Sequence, residues 1–146
     1  MIKPLFLSTC PPEECGLATF AKDTADAVDL AAGRNASSVI AIEKLHARPV
    51  CRSRVIHTIE NDQRNSYHLA AEVANSNSCD LVSLQHEFGL YPDDWGSRIM
   101  DFVHGCEKPV VTTFHTLLTN PEPVPRRIVR ALAEKNRMEF LCLIIL

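Results

Sequence analysis

Glycine-rich nucleotide-binding motifs are missing from this sequence. Only five glycines occur among its 146 residues, and none of them forms a G-x-G-x-x-G or a G-x-x-x-x-G-K-[ST] pattern. The first pattern holds the pyrophosphate of dinucleotides, and the second holds the phosphates of ATP or GTP. The sequence therefore carries neither a dinucleotide fingerprint nor a P-loop. It also lacks the H-E-x-x-H motif of zinc-dependent hydrolases.

A surplus of basic residues and a long hydrophobic run are absent as well. Fifteen lysines and arginines stand against 18 acidic residues, which gives a formal net charge of −3. This balance does not favour nucleic acid or an anionic membrane surface as a partner. No apolar run approaches the ~20 residues that cross a bilayer, so no transmembrane segment is predicted. The composition is typical of globular proteins, and we expect a single domain over residues 1–146.

The six cysteines include no C-x-x-C pair, so the ligand spacing of structural zinc sites is absent. Residues 1–12 lack the long apolar core of a secretory signal. We therefore interpret the cysteines as reduced residues of a cytoplasmic protein, several of them filling the core. An alternative is that Cys10 or Cys15 is a nucleophile beside a histidine, but no nucleophile-elbow pattern surrounds either residue.

Apolar runs of strand length alternate with segments of helical periodicity along the chain. Strands are predicted at residues 3–8, 38–42, 54–59, 81–84 and 110–114, with a last apolar run at 140–146. Helices are predicted between these strands. This alternation predicts βαβ units, and hence an α/β domain with a mainly parallel sheet. Because the strands are apolar on both faces, helices should cover both sides of the sheet.

Two of the predicted helices carry specific expectations. The first should end at Gly33 and leave Asp29 on its polar face. The third should begin after Asp93 or Asp94 and turn Trp95 inward. The apolar stripe predicted for the first helix consists of Leu17, Phe20, Ala21, Thr24, Val28 and Ala31.

Two of the predicted strands lead into a histidine. The run 81–84 is followed by Gln85, His86 and Glu87, and the run 110–114 is followed by His115. In a parallel α/β sheet, ligands bind outside the carboxyl ends of the strands. Each histidine is therefore a candidate acid, base, ligand or neutral hydrogen-bond partner, and the alternative is a residue that only ties one loop to another. A metal site of His86, Glu87 and His115 is conceivable, but no metal-ligand spacing supports it.

The loop after the first predicted strand ends in Cys15-Gly16, immediately before the first helix. Backbone N–H groups at a helix N-terminus, together with the helix dipole, attract phosphate. A single glycine is a weak signal, so Gly16 either approaches a phosphate or simply lets the chain turn. Tyr91 lies in the loop that follows residues 81–89, and Trp95 lies just after this loop. Tyr91 either stacks on a sugar ring or anchors that loop.

Four pieces of the sequence, taken in order, resemble a known enzyme family. They are STCPPEECGLATFAKD, SYHLAAEVAN, DLVSLQHEFGLY and KPVVTTFHTLL. They are similar to the N-terminal domain of family 4 glycosyltransferases, which are retaining enzymes of the two-domain GT-B fold. The resemblance covers about residues 3–136. It implies a three-layer Rossmann-like domain that forms one half of a GT-B architecture.

The resemblance also implies a role for each candidate residue. His115 matches a histidine that faces the donor sugar and is the catalytic candidate of this half. Gly16 and Cys15 occupy the loop that approaches the donor phosphate or sugar, although many members have a glycine pair there. His86 and Glu87 match the acceptor-side loop. The nucleotide-sugar is a substrate, and the resemblance implies neither a cofactor nor a metal.

The family's donor-binding domain has no counterpart within residues 1–146. We therefore expect the acceptor-binding half of a hexosyltransferase-type enzyme, truncated or split, and inactive alone. Its partners would be a nucleotide-sugar, a carbohydrate or lipid acceptor, and a second domain or chain. The alternative is a non-catalytic module that binds a carbohydrate or a partner protein. The apolar run at 140–146 favours pairing with another chain.

Overall fold

A computed structural model of the chain describes residues 2–13, 15–43, 53–135 and 142–143. These residues form a parallel β-sheet with α-helices on both faces, which confirms the predicted α/β class. The strands are β1 (Pro4–Ser8), β2 (Ser38–Glu43), β3 (Val55–Glu60), β4 (Leu81–His86), β5 (Val110–Phe114) and β6 (Cys142–Leu143). The helices are α1 (Gly16–Ala32), α2 (Ser66–Ser76), α3 (Ile99–Gly105) and α4 (Pro123–Lys135). Across these ranges, no helix is both long and apolar enough to span a bilayer.

The strand order is β3-β2-β1-β4-β5-β6, and every neighbouring pair is parallel. The chain moves outward from β1 to β3, returns to β4 on the other side of β1, and then moves outward again. This is the order of a Rossmann-like sheet, and it reverses between β1 and β4. In sheets of this kind the loops that follow the two strands at the reversal diverge, and ligands bind in the crevice between them.

The sheet separates two apolar layers, as expected for a three-layer domain. On one face, Ala25 of α1 packs against Phe6, Val39 and Ala41. On the other face, α2, α3 and α4 contribute to a larger core. That larger core includes Leu5, Leu7, Ile40 and Leu84 from the strands and Tyr67, Phe102, Ile128 and Leu132 from the helices. The strands contribute apolar side chains to both layers, as expected for a sheet that is covered on both faces.

The buried stripe of α1 differs from the predicted one. Its buried residues are Ala18, Ala21, Ala25 and Asp29, while the larger predicted residues flank this stripe. Alanines let the helix approach the sheet closely. The prediction that Asp29 is on the polar face was wrong, because its Oδ1 accepts hydrogen bonds from the backbone N–H groups of Ala36 and Ser37, at 2.9 and 2.8 Å. Gly33 ends the helix in the left-handed region, as predicted.

Strand β4 is longer than predicted. The polar residues Gln85 and His86 were expected in a loop, but both belong to the strand. They pair in register with Thr113 and Phe114 of β5. Pairing with a neighbouring strand supplies the backbone hydrogen bonds that hold these residues extended, although their side chains are polar.

Helix α3 begins later than predicted. The segment Asp94–Gly96 forms a short 3₁₀ turn, and Trp95 has a positive φ of 54°, so it does not continue into the helix. Arg98 donates to both carboxylate oxygens of Asp93, at 2.7 and 2.9 Å, which holds this turn. Trp95 is nevertheless packed against the core. Its inward position was predicted correctly, but its helical conformation was wrong.

Some sequence predictions fall outside the described residues. His46 and Cys51 lie in the segment 44–52, which the structure does not describe. Of the apolar run 140–146, only Cys142 and Leu143 are described, and their backbone forms β6 beside Thr113 and Phe114 of β5.

Candidate functional site

The candidate site lies at the carboxyl edge of the sheet, where β1, β4 and β5 end. The alternation of side chains along the strands divides its residues between the two faces. Gln85 lies one residue from His86, so the two side chains point to opposite faces of the sheet. Likewise, His115 follows Phe114 on the face opposite to that residue. The side chains of His86 and His115, which the sequence suggested could act together, therefore lie on opposite faces of the sheet.

His115 is held from three directions on the α1 face. Its backbone N–H donates to the carbonyl of His86 at 3.0 Å, and its Nε2 lies 2.9 Å from Oε1 of Gln85. Its ring meets the ring of Phe20 edge to face, with centroids 5.2 Å apart. Partial burial lowers the pKa of His115, and the nearby Glu87 carboxylate opposes this shift. The imidazole is therefore neutral at pH 7.

Glu87 bridges two loops. Its Oε1 accepts a hydrogen bond from the N–H of Phe88 at 3.0 Å, and its Oε2 accepts one from Oγ1 of Thr116 at 2.5 Å. Thr116 immediately follows His115. The carboxylate thus fastens the loop after β4 to the loop after β5, and it remains partly exposed at the crevice.

His86 is enclosed in the opposite layer. Its side chain is 0% exposed, and its ring packs against Phe88, Tyr91 and Phe114, with the closest centroids 4.9 Å apart. Among the residues that the structure describes, neither ring nitrogen has a hydrogen-bond partner. Burial, and secondarily the proximity of His115, lowers the pKa of His86 to about 4. The ring is therefore neutral at pH 7 and enclosed by these aromatic side chains.

Cys15 and Gly16 form the N-terminus of α1. The Cys15 side chain caps the helix, with its Sγ 3.4 Å from the N–H of Ala18 and 3.1 Å from Oγ1 of Thr9. Gly16 is exposed, and a Cβ placed on it would meet nothing within 4 Å. It is the first helical residue and its φ is not positive. The turn therefore does not require a glycine, so the interpretation that Gly16 simply lets the chain turn was wrong.

Tyr91 anchors the loop that follows β4. Its hydroxyl donates to the carbonyl of Gln85, and its side chain is buried. Burial raises the pKa of Tyr91, so it stays a hydrogen-bond donor. Trp95 packs edge to face on Phe88, with centroids 5.6 Å apart. Of the two roles considered for Tyr91, loop anchoring agrees with its position, because a buried ring is not open to a sugar.

Three residues of the site received no individual role from the sequence. The sequence indicates Gln85 only as part of a polar cluster and Thr116 only as part of a motif. It predicts Phe20 as a core residue. The position of Thr116 directly after His115 was a usable signal. No sequence signal indicated the contact between Phe20 and His115. This contact joins α1 to the residue after β5, and these two parts are far apart in the sequence.

Two cavities in the described structure lie apart from the candidate residues. One of about 580 Å³ lies between α3 and α4, beside Val110 and Lys108 at the amino ends of the strands. Another of about 460 Å³ lies between β3 and the start of α2, beside His57 and Arg64. Neither includes a candidate residue; the first lies at the amino ends of β4 and β5, and the second lies at the carboxyl end of β3, the outermost strand. Within the described ranges, no group of three or more His, Cys, Asp or Glu residues could hold a metal ion.

Comparison with known proteins returned no relatives. No protein-family model, no curated protein and no solved structure matches this chain. Its function is therefore inferred from the sheet order, the geometry at the carboxyl edge and the sequence motifs quoted above.

Proposed function

We propose that this chain is the acceptor-binding domain of a retaining, nucleotide-sugar-dependent glycosyltransferase. One observation carries the proposal. The helix that follows β1 reaches the end of β5, because Phe20 near the start of α1 contacts His115 directly after that strand. A helix N-terminus, a neutral imidazole and a fixed carboxylate thus share one edge of the sheet.

The N-terminus of α1 is suited to the donor diphosphate. The first N–H groups of a helix have no acceptor within it, and the helix dipole favours an anion there. Gly16 carries no side chain at this point, so a phosphate or sugar can approach its backbone closely. Neither the turn nor local packing needs a glycine here. Close approach of a ligand to the backbone would explain why this position is a glycine.

His115 and Glu87 are suited to hydroxyl groups. A neutral imidazole accepts or donates one hydrogen bond at each nitrogen, which matches a sugar hydroxyl better than a phosphate. The Glu87 carboxylate accepts hydrogen bonds from an acceptor sugar while Thr116 and Phe88 hold it in place. His86, which the resemblance assigns to acceptor binding, is fully buried, so in this proposal it does not contact the acceptor.

The proposed reaction transfers a sugar with retention of configuration. The acceptor oxygen bonds to the anomeric carbon on the face that the nucleotide leaves, while the bond from that carbon to the phosphate oxygen breaks. The hydroxyl proton passes to the departing phosphate, and hydrogen-bond donors stabilise its charge. A second domain supplies the remaining donor contacts, so residues 1–146 alone should show little turnover. No metal takes part in this proposal. The protein would act in the cytoplasm, where cysteines stay reduced.

Nucleotide-sugar binding tests the proposal directly. We expect weak but saturable binding of at least one member of a nucleotide-sugar panel, measured by NMR chemical-shift changes at Gly16 and His115. The nucleoside diphosphate without its sugar should perturb Gly16 and leave His115 unchanged. Binding of a free oligosaccharide with no response to any nucleotide-sugar would instead support the non-catalytic carbohydrate module. Efficient turnover by this chain alone would contradict the requirement for a second domain.

A further inference from the structure

Gln85 is a buried amide with defined neighbours on both sides. It is 1% exposed at the carboxyl end of β4. Its Nε2 donates to Oγ of Ser83 at 3.2 Å, so its carbonyl oxygen points the other way, toward His115. The Oε1 atom lies 2.9 Å from Nε2 of that histidine. No other role in the site has been assigned to this side chain.

This orientation determines which nitrogen of His115 carries the proton. A carbonyl oxygen has no hydrogen to donate, so His115 Nε2 must be the donor. In the neutral ring the other nitrogen, Nδ1, is then an acceptor. Among the described residues, Nδ1 has no hydrogen-bond partner, and the His115 side chain is partly exposed.

The rest of the surroundings keep the ring in this position. Phe20 packs edge to face against it at 5.2 Å, and the backbone N–H of His115 is bonded to the carbonyl of His86. Gln85 is fixed in turn, because Tyr91 donates to its backbone carbonyl. Second-sphere partners of this kind commonly select the tautomer of a functional histidine.

We propose that Gln85 is a positioning residue that holds His115 in its Nε2–H form, so that Nδ1 presents a hydrogen-bond acceptor to a hydroxyl group of the bound sugar. The part of this inference that concerns the sugar rests on the function proposed above. The part that concerns the tautomer is a property of the chain alone. An acceptor at this position selects a hydroxyl donor and disfavours an anion, because two acceptors repel each other.

The tautomer of His115 is measured by long-range proton–nitrogen NMR correlation on protein labelled with ¹⁵N-histidine. The spectrum of His115→Asn identifies the His115 signals by their loss. In the unsubstituted protein at neutral pH, we expect the Nε2–H form to predominate. A predominant Nδ1–H form would overturn the proposal without the need for any variant at position 85.

Two substitutions then test the part played by Gln85. In Gln85→Leu the ratio of Nε2–H to Nδ1–H should fall about fivefold, which corresponds to one buried neutral hydrogen bond of about 1 kcal/mol. Gln85→Glu keeps an acceptor, so it should keep the Nε2–H form and raise the pKa of His115 by the added charge. The chain's other glutamine offers the matched control, Gln63→Leu, which should leave the ratio unchanged. An unchanged ratio in Gln85→Leu would refute the role of Gln85.

Addition of nucleotide-sugars separates this inference from the proposed function. If both are correct, the nucleotide-sugar that binds should shift the Nδ1 signal of His115 in the unsubstituted protein, and Gln85→Leu should weaken its affinity. If the tautomer results hold but no nucleotide-sugar shifts any signal, the proposed function fails and the positioning role of Gln85 remains. If a nucleotide-sugar binds while Nδ1 carries the proton, the role of Gln85 fails alone.

Discussion

The Oγ1 atom of Thr116 lies 2.5 Å from Oε2 of Glu87 and joins the loop after β5 to the loop after β4. The other carboxylate oxygen of Glu87 accepts the N–H of Phe88 at 3.0 Å. Both oxygens are therefore engaged, and the carboxylate is fixed in place before any ligand arrives. A side chain fixed in this way loses little conformational entropy when it binds a hydroxyl group.

Replacement of Thr116 by valine tests this bridge. The change keeps the shape of the side chain and removes the hydroxyl that Glu87 accepts from. We expect Thr116→Val to lower the free energy of unfolding by about 1–2 kcal/mol, since a hydrogen bond to a partly buried charge is lost. Urea denaturation measures this. Thr119→Val, at an exposed threonine of the same loop, is the control and should change stability little. Equal effects of both substitutions would show that the bridge does not stabilise the fold.

Gly16→Ala separates ligand approach from folding. A methyl group at this position meets nothing within 4 Å, and alanine has the higher helix propensity. The free energy of unfolding should therefore stay constant or rise by up to about 1 kcal/mol. Affinity for a nucleotide-sugar should fall, because the methyl group occupies the space between the helix N-terminus and the phosphate. A variant that is less stable than the unsubstituted protein would mean that Gly16 serves the fold after all.

The predictions that succeeded depend on local patterns. Alternating apolar runs and helical periodicities predicted the α/β class, and Gly33 marked the end of α1 correctly. The helical periodicity predicted the wrong face for Asp29, because the partners of its carboxylate lie outside helix α1. Its Oδ2 is 2.9 Å from Arg54, which precedes β3, and this ion pair makes burial of a carboxylate possible. The periodicity of one helix cannot reveal such a partner.

The site was predicted in outline but not in its arrangement. The sequence indicated that His86, Glu87 and His115 follow or end strands, and this is correct. The sequence could not show that β4 continues through His86, because its pairing with Phe114 determines where the strand ends. Because Gln85 and His86 continue β4, their side chains point to opposite faces of the sheet. This alternation places Gln85 beside His115 and buries His86 in the opposite layer.

Gly96, unlike Gly16, is required by the fold. It has a φ of 73°, and a Cβ placed on it would lie 2.6 Å from the carbonyl oxygen of Phe88. Gly96→Ala should therefore cost about 2–4 kcal/mol, from backbone strain and displacement of the Phe88 backbone. Thermal denaturation checks this. Gly89→Ala is the control in the same loop, since nothing lies within 4 Å of its Cβ position.

Displacement at Phe88 should also reach the candidate site, because the N–H of this residue holds Glu87. We expect amide chemical-shift changes in Gly96→Ala that include Glu87 and Thr116, and none at these residues in Gly89→Ala. A large loss of stability without such changes would indicate that the loop adjusts without moving the carboxylate.

The buried ring of His86 should make the domain sensitive to acid. The pKa of His86 in the folded protein is about 4, against an ordinary value of 6.5. Above pH 6.5 the ring is neutral in both states, and its contribution to stability is constant. As the pH falls from 6.5 toward 4, the unfolded chain takes up a proton that the folded chain does not, so the free energy of unfolding should fall by on the order of 3 kcal/mol. The lowered pKa values of His57 and His115 act in the same direction.

His86→Leu isolates this contribution. Leucine is apolar, and it removes two ring nitrogens that have no partner in the described structure. The dependence of unfolding free energy on pH should become shallower between 4 and 6.5, by about one proton per molecule. Stability at pH 7 should be unchanged or higher, because a buried polar group without a hydrogen bond opposes folding. His104→Leu, at an exposed histidine, should keep the acid sensitivity. If His86→Leu retained the full pH dependence, the acid sensitivity would belong to other groups, and His86 would not be a buried neutral ring in solution.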